Sequence, residues 1–247
     1  MAQQSSVLVV DDELSLRTVL RLSLAASGFA VAEARSGQEA LETVHGHPFD
    51  LVLLDINMPG ISGIDACREI RGMAPHAGIV MVSVRDQERD KLRAFEAGAD
   101  DYITKPFQLG ELTARLRAVL RRTLQEAPEA EVLQAGKLRI DLQKRLLWRG
   151  DDKVRLSPTE FDLLAFLMKN PDCVLTHVKL LRTIWGPDYG GELEYLRTYV
   201  RMLRKKIEID PARPEYILTE PWVGYRFRNP SGSQSRCAAT DEGTPSV

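Results

Sequence analysis

With 247 residues, 44% of them apolar and 28% charged, the chain is long enough for two ordinary domains and has the make-up of a soluble globular protein. Its apolar runs are too short to span a bilayer, and MAQQSSVLVV lacks the basic and long apolar segments of an export signal, so a cytoplasmic protein without membrane contact is expected. The net charge of −2 hides an asymmetry, because residues 1–123 hold 14 Lys and Arg against 17 Asp and Glu, whereas residues 135–230 hold 18 against 13.

Over residues 1–123 apolar runs and helical periodicities alternate. Strands are predicted at 7–10, 30–33, 51–54, 79–83 and 101–103, and helices at 15–26, 37–44, 63–71, 87–97 and 109–122. Five apolar strands alternating with helices predict a doubly wound α/β fold with a five-stranded parallel sheet. Residues 124–134, polar and acidic around Pro128, read as a linker. Beyond it, 137–142, 145–149 and 153–156 suggest short antiparallel strands. Ser157-Pro158-Thr159-Glu160 is a capping box that starts a helix to about 169. Helices at 178–185 and 192–209 and a hairpin at 216–228 complete an α+β winged helix-turn-helix over 135–230. Residues 231–247 are small and polar and read as a disordered tail. Three cysteines, odd in number and widely spaced, imply neither a disulfide framework nor a metal knot.

In doubly wound sheets the site lies off the carboxyl ends of the strands. Asp11, Asp12, Asp55, Ser83 and Lys105 all fall at or just past predicted strand ends. Like charges gathered there are costly unless a cation or proton compensates. With no His or Cys among them, oxygen ligands suit Mg²⁺. Lys105 adds a fixed positive charge and Ser83 a hydroxyl, which makes a phosphoryl-transfer site with Asp55 as nucleophile. The bland alternatives are that Asp11–Glu13 merely favour the following helix N-terminus and that Lys105 is a solvated surface residue.

VLVVDDE, LVLLDINMPGISG, IVMVSVRD and DDYITKPF, in this order, resemble the signature stretches of two-component receiver domains over residues 5–123. The resemblance implies that Asp55 takes a phosphoryl group from a sensor histidine kinase. It implies Mg²⁺ held by Asp12, Asp55 and the backbone carbonyl of Asn57, with Asp11 acting through water. Lys105 would contact the phosphoryl group ahead of a cis Pro106, Ser83 would swing toward it and Tyr102 would rotate inward. A homodimer formed on phosphorylation is implied as well, with Lys91–Glu111 and Asp101–Arg115 as intermolecular pairs. Val84 departs from the small residue usual in receivers, and its branched side chain is expected to narrow access to Asp55.

In the helix predicted at 192–209, Arg197, Arg201 and Arg204 share one face, opposite a stripe of Leu196, Val200, Leu203 and Ile207. That pattern suits a helix in the DNA major groove, with Lys205 and Lys206 near phosphates and Arg226 of the hairpin in the adjacent minor groove. Residues 135–228 resemble the output domain of the OmpR/PhoB subfamily, and within it the KdpE-like branch that regulates potassium uptake. The resemblance implies promoter DNA and RNA polymerase as partners. The wing reads Glu220-Pro221-Trp222 where many relatives carry a Val-Arg-Gly type of sequence. Regulation of another regulon is the alternative. A receiver with enzymatic output is a weaker one, because Gly190-Gly191-Glu192 resembles a diguanylate cyclase motif only superficially, with Leu193 and Tyr195 breaking it. No Ser–His or Cys–His constellation is evident, so no enzyme is expected.

Overall fold

The computed structural model describes residues 4–84, 88–124 and 131–230. Its first unit runs β1 (Ser6–Val10), α1 (Leu14–Ala26), β2 (Ala30–Ala34), α2 (Gly37–Gly46), β3 (Leu51–Asp55), α3 (Gly63–Met73), β4 (Gly78–Ser83), α4 (Glu88–Glu96), β5 (Asp101–Thr104) and α5 (Leu109–Leu124). The five strands form one parallel sheet in the order β2-β1-β3-β4-β5. β3 and β4 are buried along their whole length, as parallel strands covered by helices on both faces must be. Successive side chains alternate between faces. Val7, Val9, Leu51, Leu53, Val80 and Val82 therefore pack with α1 and α5, while Leu8, Val10, Val52, Leu54, Ile79 and Met81 pack with α2, α3 and α4.

Strand order reverses between β1 and β3, which opens a crevice at their carboxyl ends. Gly63 closes its floor. A Cβ there would lie 2.0 Å from the Asp55 carbonyl oxygen and 2.7 Å from Ile56 Cα. The first turn of α3 can therefore press onto the end of β3, and Gly63 N–H donates to the Ile56 carbonyl at 3.1 Å.

The second unit has a four-stranded antiparallel sheet of β6 (Val132–Ala135), β7 (Leu138–Asp141), β8 (Leu146–Arg149) and β9 (Asp152–Val154). Three helices follow, α6 (Pro158–Lys169), α7 (His177–Ile184) and α8 (Leu193–Ile207). Between the first two lies β10 (Val174–Thr176), and β11 (Ile217–Glu220) and β12 (Gly224–Phe227) end the unit as a hairpin in a β10-β12-β11 sheet. The Ser157 capping box forms as expected, with Ser157 N–H donating to Glu160 Oε2 at 2.7 Å and Glu160 N–H to Ser157 Oγ at 3.3 Å.

Several boundaries differ from the sequence expectation. α5 reaches Leu124 and β6 begins at Val132, so the structured elements run into both ends of the expected 124–134 linker; residues 125–130 of it lie outside the described residues, as does the expected tail. β6 and β10 have no counterpart among the predicted strands, because four-residue and three-residue strands leave too short an alternation to read. Cys67 is buried and free, whereas Cys173 is disulfide-bonded, which qualifies at one position the absence of pairing expected from the cysteine spacing. No helix among the described residues is long and apolar enough to cross a membrane.

Gly63→Ala should lower the urea denaturation midpoint sharply, by the equivalent of about 3 kcal/mol, the upper end for overpacking, because backbone rather than side chain stands in the way.

Candidate functional site

At the crevice, Lys105 follows β5 and its Nζ donates to Asp11 Oδ2 and to Asp55 Oδ1, both at 2.7 Å. Asp55 Oδ2 accepts from the Asn57 backbone N–H at 2.7 Å, and Asp11 Oδ1 from Glu13 N–H at 2.9 Å. Asp11 and Asp55 are buried, as is Ser83 at the end of β4. The Lys105–Pro106 peptide bond is cis. Lys105 N–H donates to the Ser83 carbonyl at 2.7 Å, which ties the lysine's backbone to β4.

Burial pushes the Asp55 carboxyl above its usual value, the Lys105 ammonium opposes this, and neighbouring Asp11 adds to it. Burial also pulls Lys105 down, but its hydrogen bonds to Asp11 and Asp55 outweigh burial and hold it above its ordinary value. The group is thus two buried carboxylates sharing one ammonium, with a net negative charge that further cationic charge would relieve. Asp12 is exposed, and no three carboxylate, His or Cys side chains among the described residues converge as a ready-made metal cage. Mg²⁺ does not require one, since it commonly binds through one or two carboxylates and keeps several waters. The oxygen-only donor set with its excess negative charge fits Mg²⁺. Val84 is exposed at the rim.

The other expected residues sit elsewhere. Tyr102 is buried, with Lys91 Nζ lying 5.8 Å from its ring centroid. Of the two pairs expected between copies, Asp101–Arg115 is made within one chain, and Glu111 is engaged by Arg115 as well. Arg115 meets Asp101 at 3.4 Å and Glu111 at 3.0 Å, and the Tyr189 hydroxyl of the second unit joins them. That hydroxyl donates to Asp101 Oδ2 at 2.6 Å and accepts from Arg115, whose guanidinium also lies 4.9 Å from the Tyr189 ring centroid. In this state Asp101 and Arg115 therefore meet within one chain.

Around this contact the second unit docks on α4, β5 and α5. Tyr199 O–H donates to the Ala99 carbonyl at 2.5 Å, and Phe95 packs edge-on against Tyr195, ring centroids 4.5 Å apart. Asp100 Oδ1 accepts from Thr159 N–H at 3.2 Å and Thr159 Oγ1 at 2.9 Å, while Asp100 Oδ2 receives Arg71 at 2.6 Å. One apolar cluster runs from the first unit through Phe95, Ala97, Ala99 and Tyr102 into the second.

The basic helix α8 is the element most affected. Its stripe of Leu196, Val200, Leu203 and Ile207 is buried as expected. Thr198, on the far side of the helix, is only 3% exposed, and Arg201 pairs with Glu96 of α4 at 2.7 Å. Arg197 is held by Glu194. Arg204 does not share their outward role, since its guanidinium donates to the Ile217 carbonyl at 2.7 Å and to Thr219 Oγ1 at 2.9 Å, pinning α8 to β11. Desolvation lowers its pKa there. Lys205 is exposed, but Lys206 pairs with the buried Glu160 at 2.6 Å, and Arg226 pairs with Glu220 at 2.7 Å.

The docking residues Tyr189, Tyr195, Tyr199, Phe95 and Asp100 do not stand out in the sequence. A signal exists in Tyr195, Tyr199 and Met202, whose i, i+4, i+7 spacing gives α8 a second semi-apolar face.

Two family models match: a response regulator receiver domain over residues 7–117, and a transcriptional regulatory protein C-terminal domain over residues 151–227. The chain belongs to the OmpR/PhoB-type response regulators. It is 41% identical over 223 residues to the KDP operon transcriptional regulatory protein KdpE of Escherichia coli, covering 90% of this chain and 99% of that protein. It is equally 41% identical over 225 residues to the sensory transduction protein RegX3 of Mycobacterium bovis, again covering 90% and 99%. A solved RitR mutant superposes with a TM-score of 0.76 at 28% identity, covering 91% of this chain and 99% of that one. Membership in this family of transcriptional regulators, rather than enzymes, brings a kinase and DNA as partners, and receiver domains typically bind Mg²⁺ at their phosphorylation site.

The buried carboxylate at the docking contact generates a pH effect. Burial pushes Asp101 up to about 6, with Arg115 and Arg122 opposing. A carboxyl raised in the folded chain binds more protons there than in the unfolded one between 3.8 and about 6. Its stabilising contribution is present at low pH and lost as pH rises through that window. Asp101→Asn, which stays neutral, should leave the thermal midpoint near that of the parent at about pH 4 and raise it above the parent at about pH 7. Asp162, which burial also pushes up to about 6, is common to both proteins and cancels in the difference.

Proposed function

We propose that Asp55 is the phosphoacceptor of a transcription factor whose two units hold each other in check until phosphorylation. Lys105 Nζ at 2.7 Å from both Asp11 and Asp55 is the observation that carries this reading. An Asp55 oxygen attacks the phosphorus of a kinase phosphohistidine, the new O–P bond forms as the P–N bond breaks, and the imidazole leaves. Lys105 already stands where the incoming phosphoryl oxygens need a cation, and Ser83 offers a hydroxyl beside them. Asp12, Asp55 and the Asn57 carbonyl would hold Mg²⁺, with Asp11 acting through water, and the ion would supply charge neutralisation on those oxygens.

Once the phosphoryl group occupies Lys105, the lysine's bond to Asp11 competes with a stronger anion, and Ser83 and Tyr102 transmit the change to β5. The docked surface then opens. Two receivers pair through Lys91, Asp101, Glu111 and Arg115, while α8 presents Arg197, Arg201 and Lys205 to a promoter in the cytoplasm. Arg226 follows in the minor groove once its pair with Glu220 is exchanged for phosphate or base. RNA polymerase is the downstream partner. The likeness to KdpE makes a potassium-uptake operon the first promoter to test, and the equal likeness to RegX3 makes a different regulon the second reading.

A small-molecule phosphodonor with Mg²⁺ should label the full chain, and Asp55→Asn should abolish labelling. Labelling should raise promoter affinity by about tenfold or more, equivalent to about 1.4 kcal/mol of released docking. Tyr189→Ala should raise the affinity of the unlabelled chain several-fold and shrink the gain from phosphodonor. Label that persists on Asp55→Asn, or DNA affinity indifferent to both changes, would sink the reading.

A further inference from the structure

Docking closes a cleft of about 580 Å³ between α3, the end of α4, the turn before α6, and α8. Arg68 and Arg71 reach it from the first unit, and Arg155, Lys205 and Lys206 from the second, while Glu96 and Glu160 are the only carboxylates in its lining. Both carboxylates are engaged. Glu96 pairs with Arg201 at 2.7 Å, and Glu160 accepts from Lys206 at 2.6 Å and from Ser157 N–H at 2.7 Å. Arg71 is held by Asp100 at 2.6 Å and Arg68 by Asp65 at 2.9 Å. The side chains of Arg155 and Lys205 make no hydrogen bond or ion pair among the described residues. Docking thus gathers an excess of positive charge in a crevice partly walled from water, where like charges are costly and their field on an anion is focused.

The rest of the lining limits what that anion can be. Its apolar wall is Pro75, Ala97, Leu156 and Met202, and its one neutral polar side chain, Ser157, is already the cap of α6. A ligand covered in hydroxyls would find few partners there. A flat ring can lie on the apolar wall or under a guanidinium plane. The first turn of α6 lines the same cleft and adds the positive end of a helix dipole. Interdomain position and size both suit a small-molecule site, for which about 300–1,000 Å³ is usual.

We infer that the cleft binds a nucleoside di- or triphosphate, with phosphates on Arg68, Arg155 and Lys205 and the base on the apolar wall, and that the bound nucleotide holds the two units docked. The site itself stands on the cleft, and its consequence rests on the DNA-binding reading above. Because its walls come from both units, the ligand favours the state in which they touch. Lys205 cannot serve this ligand and a promoter phosphate together. Nucleotide and promoter then oppose each other, and each weakens the other by the same factor.

Full-length protein without phosphodonor or Mg²⁺ is titrated calorimetrically with ADP, and separately with adenosine and with inorganic phosphate. ADP should bind saturably, and adenosine and phosphate each about tenfold or more weaker, since each fills half of the cleft. Arg155→Gln, at an exposed position, should weaken ADP by about tenfold, the scale of one hydrogen bond to a charged group. Tyr189→Ala lies outside the cleft but loosens docking, and should weaken ADP several-fold. Saturating ADP should lower the promoter affinity of the unlabelled parent several-fold and that of Arg155→Gln far less. No saturable ADP binding below about 1 mM, equal affinity for either half-ligand, or ADP affinity indifferent to Arg155→Gln would overturn the site. ADP affinity indifferent to Tyr189→Ala, or promoter affinity indifferent to ADP, would overturn its hold on docking. A parent that binds ADP but no promoter in any state would bring down the DNA reading and leave the nucleotide site standing.

Discussion

One ammonium shared by two buried carboxylates is the interaction on which the rest depends. Lys105 lies 2.7 Å from Asp11 and from Asp55, strand-end carboxylates from opposite sides of the sheet's switch point. Taking either acid off would leave the lysine with one partner, and taking the lysine off would leave two like charges desolvated, which is the costlier loss. The arrangement is consequently stable yet incomplete. Its remaining negative charge and the raised Asp55 carboxyl describe a cluster that gains by acquiring a cation, and an anion on Asp55 must renegotiate Lys105. A site whose resting state is one bond away from rearrangement is a suitable input for a switch.

The output constraint is geometric. The surface formed by α4, β5 and α5 is a single face, and it is taken by Tyr189, Tyr195, Tyr199 and Thr159 of the second unit. Asp101 and Arg115 cannot serve Tyr189 and a second copy together, and Arg201 cannot serve Glu96 and a base edge together. Under the proposed function, docking, receiver pairing and DNA binding are linked as alternatives, and a ligand shifts such a balance by its difference in affinity for the states. The pair Arg201–Glu96 is half exposed and weak, so the aromatic packing of Phe95 and the buried Asp100 and Asp101 bonds account for most of the holding. They lie on β5 and its borders, where a change at Lys105, immediately after that strand, is felt first.

What could be read from the sequence follows from the range of the forces involved. Strand–helix alternation, the parallel sheet, the Ser157 capping box and the helix stripe of Leu196, Val200, Leu203 and Ile207 all depend on neighbours within a turn or a strand. They stand out as periodicities. The gathering of Asp11, Asp55, Ser83 and Lys105 is legible because the carboxyl ends of such strands converge by topology. Asp12, by contrast, is adjacent in sequence but turns to solvent, since β1 ends at Val10 and strand alternation no longer sets its direction. Arg204 looks like a third outward arginine, yet a hairpin folded back by tertiary contact claims it through Ile217 and Thr219. The docked face is the least legible part. Tyr189 and Tyr195 are distant from Asp101 and Phe95 in sequence, and a lone tyrosine in a loop carries no period.

The three faces of α8 explain how, under the proposed function, so much of this chain's regulation can reside in one helix. A helix that only read DNA would need one apolar stripe and one basic face. α8 adds a third sector of Tyr195, Tyr199 and Met202, apolar enough to dock on α4, in which the two tyrosines end in hydroxyls that need partners when buried. Tyr199 finds its partner in the Ala99 carbonyl, at the turn that leads into β5. The helix therefore senses the receiver through the same turn that sets Asp100 and Asp101, and releasing it exposes polar tips that water can satisfy. An aliphatic sector would dock more firmly but would leave an oily surface when opened. Under the proposed function, a hydroxylated sector, satisfied by protein when docked and by water when released, suits a balance that a single phosphoryl group decides.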